Sequence, residues 1–211
     1  DFPGCFAYGK DGTEAILRTP QALLAFREWV ADRTENSWLE DLEDFDIALT
    51  EIFECYKVKK DNGEYEVNAW FNDDLRSLSN IEIERGKMLL EWSRVDLESL
   101  VAPLTKDQLE QKFNGERWSI SGVIRHVANA NWWYLDRLDL ARVDLTAASN
   151  NSIERLNTVQ QELLQVLPTL INQSFTIQKE DETWSPRKML RRAIWHMRDH
   201  YFHIERLLSL L

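Results

Sequence analysis

The sequence has few of the features that mark secreted, membrane-spanning or nucleic-acid-binding proteins. Only two of its 211 residues are cysteines, Cys5 and Cys55, and they form neither a CxxC motif nor a disulfide framework. It contains no apolar run of about 18 residues, and its N-terminus lacks the basic-then-apolar pattern of a signal peptide. We therefore expect a cytoplasmic protein with no membrane partner.

The charge is acidic and unevenly distributed. The formal net charge is −11; residues 1–100 contain 23 acidic and 11 basic side chains, whereas residues 101–211 contain 13 and 14. Because a nucleic-acid surface needs a basic stripe, we expect no nucleic-acid partner. The asymmetry is typical of two units with different partners, or of one unit docking on the other.

The first 72 residues predict a small α+β domain. A helix is expected over about 13–33, capped by Thr13 and kinked or restarted at Pro20. The acidic and aromatic stretch 35–46 predicts an exposed connector. Two strands are expected after it, with a hairpin turn between them: Ile47–Val58, Tyr65–Phe71 and the turn at 59–63.

Residues 73–211 predict a four-helix bundle, so the fold class is mainly α. The apolar spacing favours helices at about 74–101, from Ser119 to about 141, at 151–172, and from Ser185 onwards. Ser185 followed by Pro186 is a favourable helix start. Four helices of this length joined by loops are typical of a bundle.

All four histidines fall in the second and fourth of these helices. His196 and His200 are spaced i, i+4 and lie on one face, and His126 occupies the matching apolar face of the other helix. Three neutral imidazoles in a core are difficult to satisfy without an ion. Imidazole suits Zn, Ni, Cu or Fe, and three protein ligands leave a position open for water. The pattern predicts a three-histidine metal site; the alternative is ordinary core or surface histidines.

Two further residues are candidates for this site, and no catalytic residue is assigned. His203 could line a pocket, hydrogen-bond to a metal ligand or face solvent. Asn129 could orient a metal-bound water or simply be exposed. A basic cluster opens the last helix, and it could receive an anionic substrate, contact the acidic 35–46 stretch or form a solvated face: Arg187, Lys188, Arg191 and Arg192.

The C-terminal part resembles the DinB/YfiT-like superfamily of metalloenzymes over about residues 74–211. The resemblance rests on Trp118-Ser119 followed by His126, on a later Trp-Ser-Pro that starts at Trp184, and on the His-x-x-x-His of residues 196–200. It implies a four-helix bundle that holds Zn or Ni through His126, His196 and His200. It also implies a small-molecule substrate, for example a low-molecular-weight thiol. The reaction that it implies is hydrolysis or thiol transfer. A glutamate that many relatives carry soon after the first Trp-Ser is replaced here by Gly122 and Val123.

The N-terminal stretch is similar to the small domain of HicB-like antitoxins. The matching residues are Pro3, Gly4, Cys5, Gly9, Glu14 and Ala15. The leading strand of that family would lie upstream of Asp1, so we expect the start to be truncated. The alternative is a generic turn followed by a helix, and a shared fold would not bring toxin binding with it.

Two functions remain open from the sequence. The first is a metal-dependent hydrolase or thiol transferase. The second is a non-catalytic metal-binding or protein-interaction module with an antitoxin-like N-terminal domain. A cleft that opens onto the histidines would favour the enzyme, and a sealed site would favour the module. Helical faces rich in the nine tryptophans permit a homodimer.

Overall fold

The structure is a computed structural model that describes residues 2–35, 37–40, 42, 44–60 and 63–211. Its helices are α1 (Gly12–Ala31), α2 (Asn80–Val101), α3 (Lys106–Glu110), α4 (Ile120–Asp136), α5 (Ser152–Val166) and α6 (Pro186–Leu208). Its strands are β1 (Lys57–Lys60), β2 (Gly63–Glu66), β3 (Ile177–Lys179) and β4 (Glu182–Trp184). Among the helices described, none is long and apolar enough to cross a membrane.

The chain divides into two compact units, Asp1–Glu54 and Cys55–Leu211. The first unit contains α1, whose cap is Asp11, two residues before the predicted cap Thr13. The Asp11 carboxylate accepts a hydrogen bond of 2.9 Å from the backbone of Glu14, and Asp is among the strongest N-cap residues. Pro20 lies inside the helix without ending it. The face that α1 buries consists of Leu23, Phe26 and Val30.

The predicted hairpin is present but shorter than expected. Strands β1 and β2 pair antiparallel from Lys57 opposite Glu66 to Lys60 opposite Gly63, so the strand predicted to begin at Ile47 is wrong over residues 47–56. The predicted turn residues 61 and 62 lie outside the described residues. The second strand stops at Glu66. The segment that follows it contacts β4 and the start of α6 instead.

These contacts explain why the hairpin belongs to the second unit. The Asn68 backbone nitrogen donates to Glu182 at 2.6 Å, and the Lys188 ammonium donates to the Asn68 carbonyl at 3.0 Å. The predicted domain boundary after residue 72 falls within this unit, and the division into the two predicted domains stays a prediction.

Helices α2, α4, α5 and α6 form the four-helix bundle, which confirms the mainly α fold class. Helix α4 packs on both α5 and α6, and α2 packs on α6. Gly86 allows a close approach of α2, because a Cβ at this position would lie 2.7 Å from Leu190 Cδ2 on α6. Helix α6 therefore packs against both α2 and α4.

Most of the predicted helix ends are set by capping side chains. Ser119 caps α4 and Ser185 caps α6, as predicted. The first bundle helix is shorter than predicted: a 3₁₀ turn covers Asn72–Leu75, and α2 begins only after Ser79, which forms a capping box with Glu82.

The other departures lie at helix ends and in one strand pair. Helix α4 ends at Asp136 rather than near 141, and α5 gives way to a 3₁₀ turn at Leu167–Leu170. The hairpin β3–β4, which the sequence did not predict, pairs Ile177 with Trp184. Trp184 is fully buried, so this hairpin fixes the start of α6 against the bundle.

Candidate metal centre

Three histidines from two helices converge at the centre of the bundle. His126 lies on α4, and His196 and His200 lie one turn apart on α6. The Nε2 atom of His196 is 3.1 Å from that of His126 and 3.1 Å from that of His200. One ligand atom from each of the three side chains lies within 4.8 Å of the other two. These are the three residues that the sequence predicted as metal ligands.

Burial keeps the three imidazoles neutral. His196 and His200 are only 6% and 8% exposed. Desolvation lowers the pKa of His200 to about 3 and lowers the pKa values of His126 and His196 below the ordinary value, with neighbouring positive charge adding to the effect. Each ring therefore carries one proton and one free lone pair at neutral pH, which is the form that binds metals.

Hydrogen bonding within the histidine cluster cannot satisfy all of these atoms. Nε2 of His196 faces two other Nε2 atoms, but a neutral ring nitrogen has either one lone pair or one proton to offer. One of the two contacts therefore lacks a matched donor and acceptor. A cation between the rings resolves this conflict, because it accepts one lone pair from each of the three.

The spacing of the cluster fits a first-row divalent ion. Zinc–imidazole bonds of about 2.0–2.1 Å in tetrahedral geometry place two ligand nitrogens roughly 3.3 Å apart. The two Nε2–Nε2 distances of 3.1 Å are close to this value. The donor set, three neutral imidazoles, suits Zn or Ni.

A chain of hydrogen bonds extends from His200 to the surface. Nδ1 of His200 lies 3.3 Å from Nδ1 of His203, and Nε2 of His203 lies 3.0 Å from a Glu116 carboxylate oxygen. The other oxygen of Glu116 accepts from Arg206 at 2.9 Å. One set of tautomers satisfies every contact: His200 donates to His203, and His203 donates to Glu116. This arrangement leaves the Nε2 lone pair of His200 free for an ion.

His196 differs from His200 in this respect. Its Nδ1 atom is buried and has no hydrogen-bond partner among the described residues. Its ring is positioned instead by packing, since Tyr134 and Trp195 each lie with their ring centroids 6.0 Å from it. Of the two cluster histidines on α6, only His200 is thus oriented through hydrogen bonds that end at a carboxylate.

Trp118 covers one face of His126. The two rings stack with centroids 4.4 Å apart and an interplanar angle of 21°, and the Arg117 guanidinium lies over the outer part of Trp118. Gly122 makes this possible, because a Cβ there would lie 2.9 Å from Trp118 Cβ. In the sequence, Trp118 stood out only as part of the Trp118-Ser119 motif. The motif does not predict that its ring stacks on His126.

The histidines open into a cleft of about 540 Å³. Aromatic side chains form much of its wall, with a few polar groups among them. Its lining residues, besides the three histidines, are Asn68, Asn129, Ala130, Trp133, Tyr134, Arg192, Trp195 and Asp199.

Asn129 and His203 lie in different places relative to this cleft. Asn129 lines it, and its side-chain oxygen accepts a hydrogen bond of 2.8 Å from Arg155, which fixes the orientation of its amide group. His203 contacts His200 from the side away from Nε2. Asp199, which the sequence did not single out as part of the site, also lines the cleft.

Most of the basic cluster at the start of α6 is neutralised by carboxylates. Arg187 pairs with Glu82 at 2.8 Å, Lys188 lies 3.7 Å from Glu182, and Arg191 pairs with Asp74 at 2.6 Å. Arg187 and Lys188 are buried. The interpretation as a solvated face is wrong for these two side chains, because their partners come from the first turn of α2 and from β4.

These features define a helical bundle with a histidine cluster at the base of a cleft. A family model for the DinB superfamily matches residues 89–204, more than half of the chain. The chain belongs to the DinB superfamily. The match starts at residue 89, so the resemblance of the N-terminal stretch to HicB-like antitoxins stays a prediction.

The fold is also similar to a solved structure. The structure of YfiT from Bacillus subtilis, described as a probable metal-dependent hydrolase with an unusual four-helix bundle topology, aligns with a TM-score of 0.51 and 19% identity. The alignment covers 67% of this chain and 91% of that chain. At this identity the likeness shows the fold alone. No curated protein matches the sequence.

Proposed function

We propose that this protein is a metal-dependent enzyme that binds one Zn or Ni ion through Nε2 of His126, His196 and His200. The observation that carries the proposal is the convergence of three neutral imidazoles, two buried and one half-buried, whose Nε2 atoms cannot all be satisfied by one another. Membership of the DinB superfamily and the likeness to a protein described as a probable metal-dependent hydrolase support it.

The chain's own residues would prepare the site for an ion and a small-molecule substrate. A divalent ion with three protein ligands supplies a Lewis acid that polarises water or a substrate atom at its open position. Glu116 and His203 hold His200 in the tautomer with a free Nε2 lone pair, and Trp118 fixes the plane of His126. Tyr134 and the tryptophans of the cleft wall form an apolar surface beside the histidines.

Asp199 is the group suited to accept a proton in this cleft. It is the sole carboxylate among the described residues that line the cleft, and it lies on α6 one residue before His200. A proton acceptor is needed both for hydrolysis, in which water loses a proton, and for transfer of a thiol group, in which the thiol loses one. Both reactions therefore remain within the proposal, with a low-molecular-weight thiol as one candidate substrate.

Metal analysis of protein purified without a nickel column tests the site. We expect about one equivalent of Zn or Ni per chain in the wild type and after Arg125→Met, and less than about 0.1 equivalent after His196→Ala. Arg125→Met is the control, because Arg125 is an exposed residue of α4 outside the histidine cluster. A wild-type protein that neither contains nor takes up a transition metal would overturn the proposal.

The cleft also bears on the competing function. A non-catalytic metal-binding or interaction module would need no opening onto the histidines, whereas the cleft is lined by all three of them. Parallel assays of ester or amide hydrolysis and of thiol transfer to an electrophile would separate the reactions. An activity counts only if it disappears after His196→Ala and returns when metal is restored to the stripped wild type.

A further inference from the structure

Arg192 differs from the three other cations at the start of α6. Arg187, Lys188 and Arg191 each form an ion pair with a carboxylate. No such pair is found for Arg192 among the described residues, and its Nε atom is buried without a hydrogen-bond partner. A guanidinium with an unsatisfied buried donor is costly unless something else satisfies it.

The position of Arg192 directs it to the cleft. It is the cation that lines the cleft beside the histidines, and it stands one helical turn before His196, about 6 Å along the axis of α6. Its guanidinium lies 4.2 Å from the ring centroid of Trp195, which also lines the cleft. Stacking of this kind holds the plane of the guanidinium, so little side-chain freedom is lost when it binds a ligand.

We infer that Arg192 binds a carboxylate of the substrate while the reacting part of the same molecule lies at the three histidines. This inference rests on the proposed function and names the substrate class: a small molecule with a carboxylate a few bonds from its reacting atom, and an apolar portion between Trp133 and Trp195. The fork of an arginine matches a carboxylate through two parallel hydrogen bonds.

A monoanion fits the cleft better than a phosphate does. Asp199 contributes a negative charge to the same wall, and it would repel a dianion more strongly than a carboxylate. Tyr134 also lines the cleft, and its hydroxyl adds a second hydrogen-bond donor.

Matched probes that bind metal through a thiolate test the inference on the metal-loaded protein. The probes are 3-mercaptopropionate, its neutral amide and 2-mercaptoethylphosphonate, and the measurement is the Kd of each by calorimetric titration. We expect the carboxylate to bind the wild type about 10- to 100-fold more tightly than the amide, since hydrogen bonds to charged groups contribute roughly 1.5–3 kcal/mol.

Substitutions then assign the effect to Arg192. Arg192→Met should bring the carboxylate-to-amide ratio to about one and leave the amide Kd unchanged, and Arg192→Lys should give an intermediate ratio because it keeps the charge but loses the fork. Arg125→Met is the control, because Arg125 is an exposed cation on α4 and its loss should not change the ratio.

The outcomes separate the two proposals. If the amide binds the wild type but the carboxylate binds no more tightly, or if Arg192→Met keeps the ratio, the Arg192 inference is wrong and the metal site stands. Tighter binding of the phosphonate than of the carboxylate overturns the choice of a monoanion. If no metal is bound and none of the probes binds, the proposed function itself fails.

Discussion

Helix α6 presents two buried polar clusters that differ in how their atoms are satisfied. In its first turns, Arg187, Lys188 and Arg191 are charged and each has a carboxylate partner from another element. Two turns later, His196 and His200 are neutral, and their Nε2 atoms meet other nitrogens instead of a carboxylate. The charges of the first cluster are therefore balanced within the chain, whereas the Nε2 atoms of the second are not all matched as donors and acceptors.

The difference shows how to distinguish a structural polar cluster from a binding site within one helix. Buried charges are tolerated when each has a partner, and they then hold elements together. Buried lone pairs that point at one another do not attract, so they do not hold structural elements together. We therefore expect substitutions in the first cluster to affect folding, and substitutions in the second to affect metal binding.

The largest effect is expected from Glu182→Ala in the charged cluster. Glu182 is nearly fully buried and accepts two hydrogen bonds from Asn68, and burial already lowers the pKa of its neighbour Lys188 to about 8. Leaving Lys188 without its carboxylate should lower the free energy of unfolding by about 3–5 kcal/mol in urea titrations.

Glu84→Ala is the matched control for this loss. Glu84 pairs with Lys87 at 3.2 Å on the exposed side of α2, so its removal should change the free energy of unfolding by less than about 0.5 kcal/mol. Equal losses from the two variants would contradict the structural role of the charged cluster.

The next effect is stabilisation by metal at the histidine cluster. An ion that binds only the folded chain at 100 times its Kd should raise the free energy of unfolding by about 2.7 kcal/mol. His126→Ala should remove this gain, because it deletes the ligand on α4. Thermal unfolding with and without zinc provides the measurement, and an equal gain in both proteins would show that the ion binds elsewhere.

A smaller effect is expected from the hydrogen bonds behind His200. His203→Asn and Glu116→Gln should each weaken metal binding by about 10- to 100-fold, because each disturbs the tautomer that frees Nε2 of His200. Competition with a chelator would measure this change. The double substitution should reduce the free energy of metal binding by less than the sum of the two single effects, because both break the same series of hydrogen bonds. Full additivity would show that the two residues act separately.

The smallest effect is the acid sensitivity of the metal-free protein. The pKa of His200 is about 3 in the folded chain and about 6.5 when unfolded. Between these two pH values the His200 imidazole is protonated in the unfolded state but not in the folded state. The free energy of unfolding therefore falls as the pH decreases. One histidine should cost about 1 kcal/mol between pH 6.5 and 5.5. His200→Phe should reduce the slope of that part of the profile without abolishing it, because the pKa values of His126 and His196 are lowered too. An unchanged slope would mean that His200 titrates normally.

Sequence patterns predicted the parts of this site that depend on local rules. Apolar spacing and capping serines placed His126, His196 and His200 on the inward faces of two correctly started helices. Local rules failed where distant segments meet. Glu116 is 87 residues from His203, and Asn68 is 114 residues from Glu182; no periodicity encodes either contact.

The sequence also misplaced the basic cluster for a physical reason. Four cations in the first turns of a helix oppose its dipole, which suggested a solvated face or an anionic ligand. Three of them are paired with carboxylates that the fold brings from the 3₁₀ turn before α2, from the first turn of α2 and from β4. The pattern alone could not show that Arg192 would be the exception.

The placement of the ligands on α4 and α6 makes any bound ion a cross-link. His126 and His196 are 70 residues apart, and the whole of α5 lies in the loop that an ion between them would close. An ion that binds only the folded chain has to be released before this loop can leave the bundle. We therefore expect α5 and the β3–β4 hairpin to separate from the bundle as one unit, and to do so at a higher rate in the metal-free protein than in the metal-bound protein.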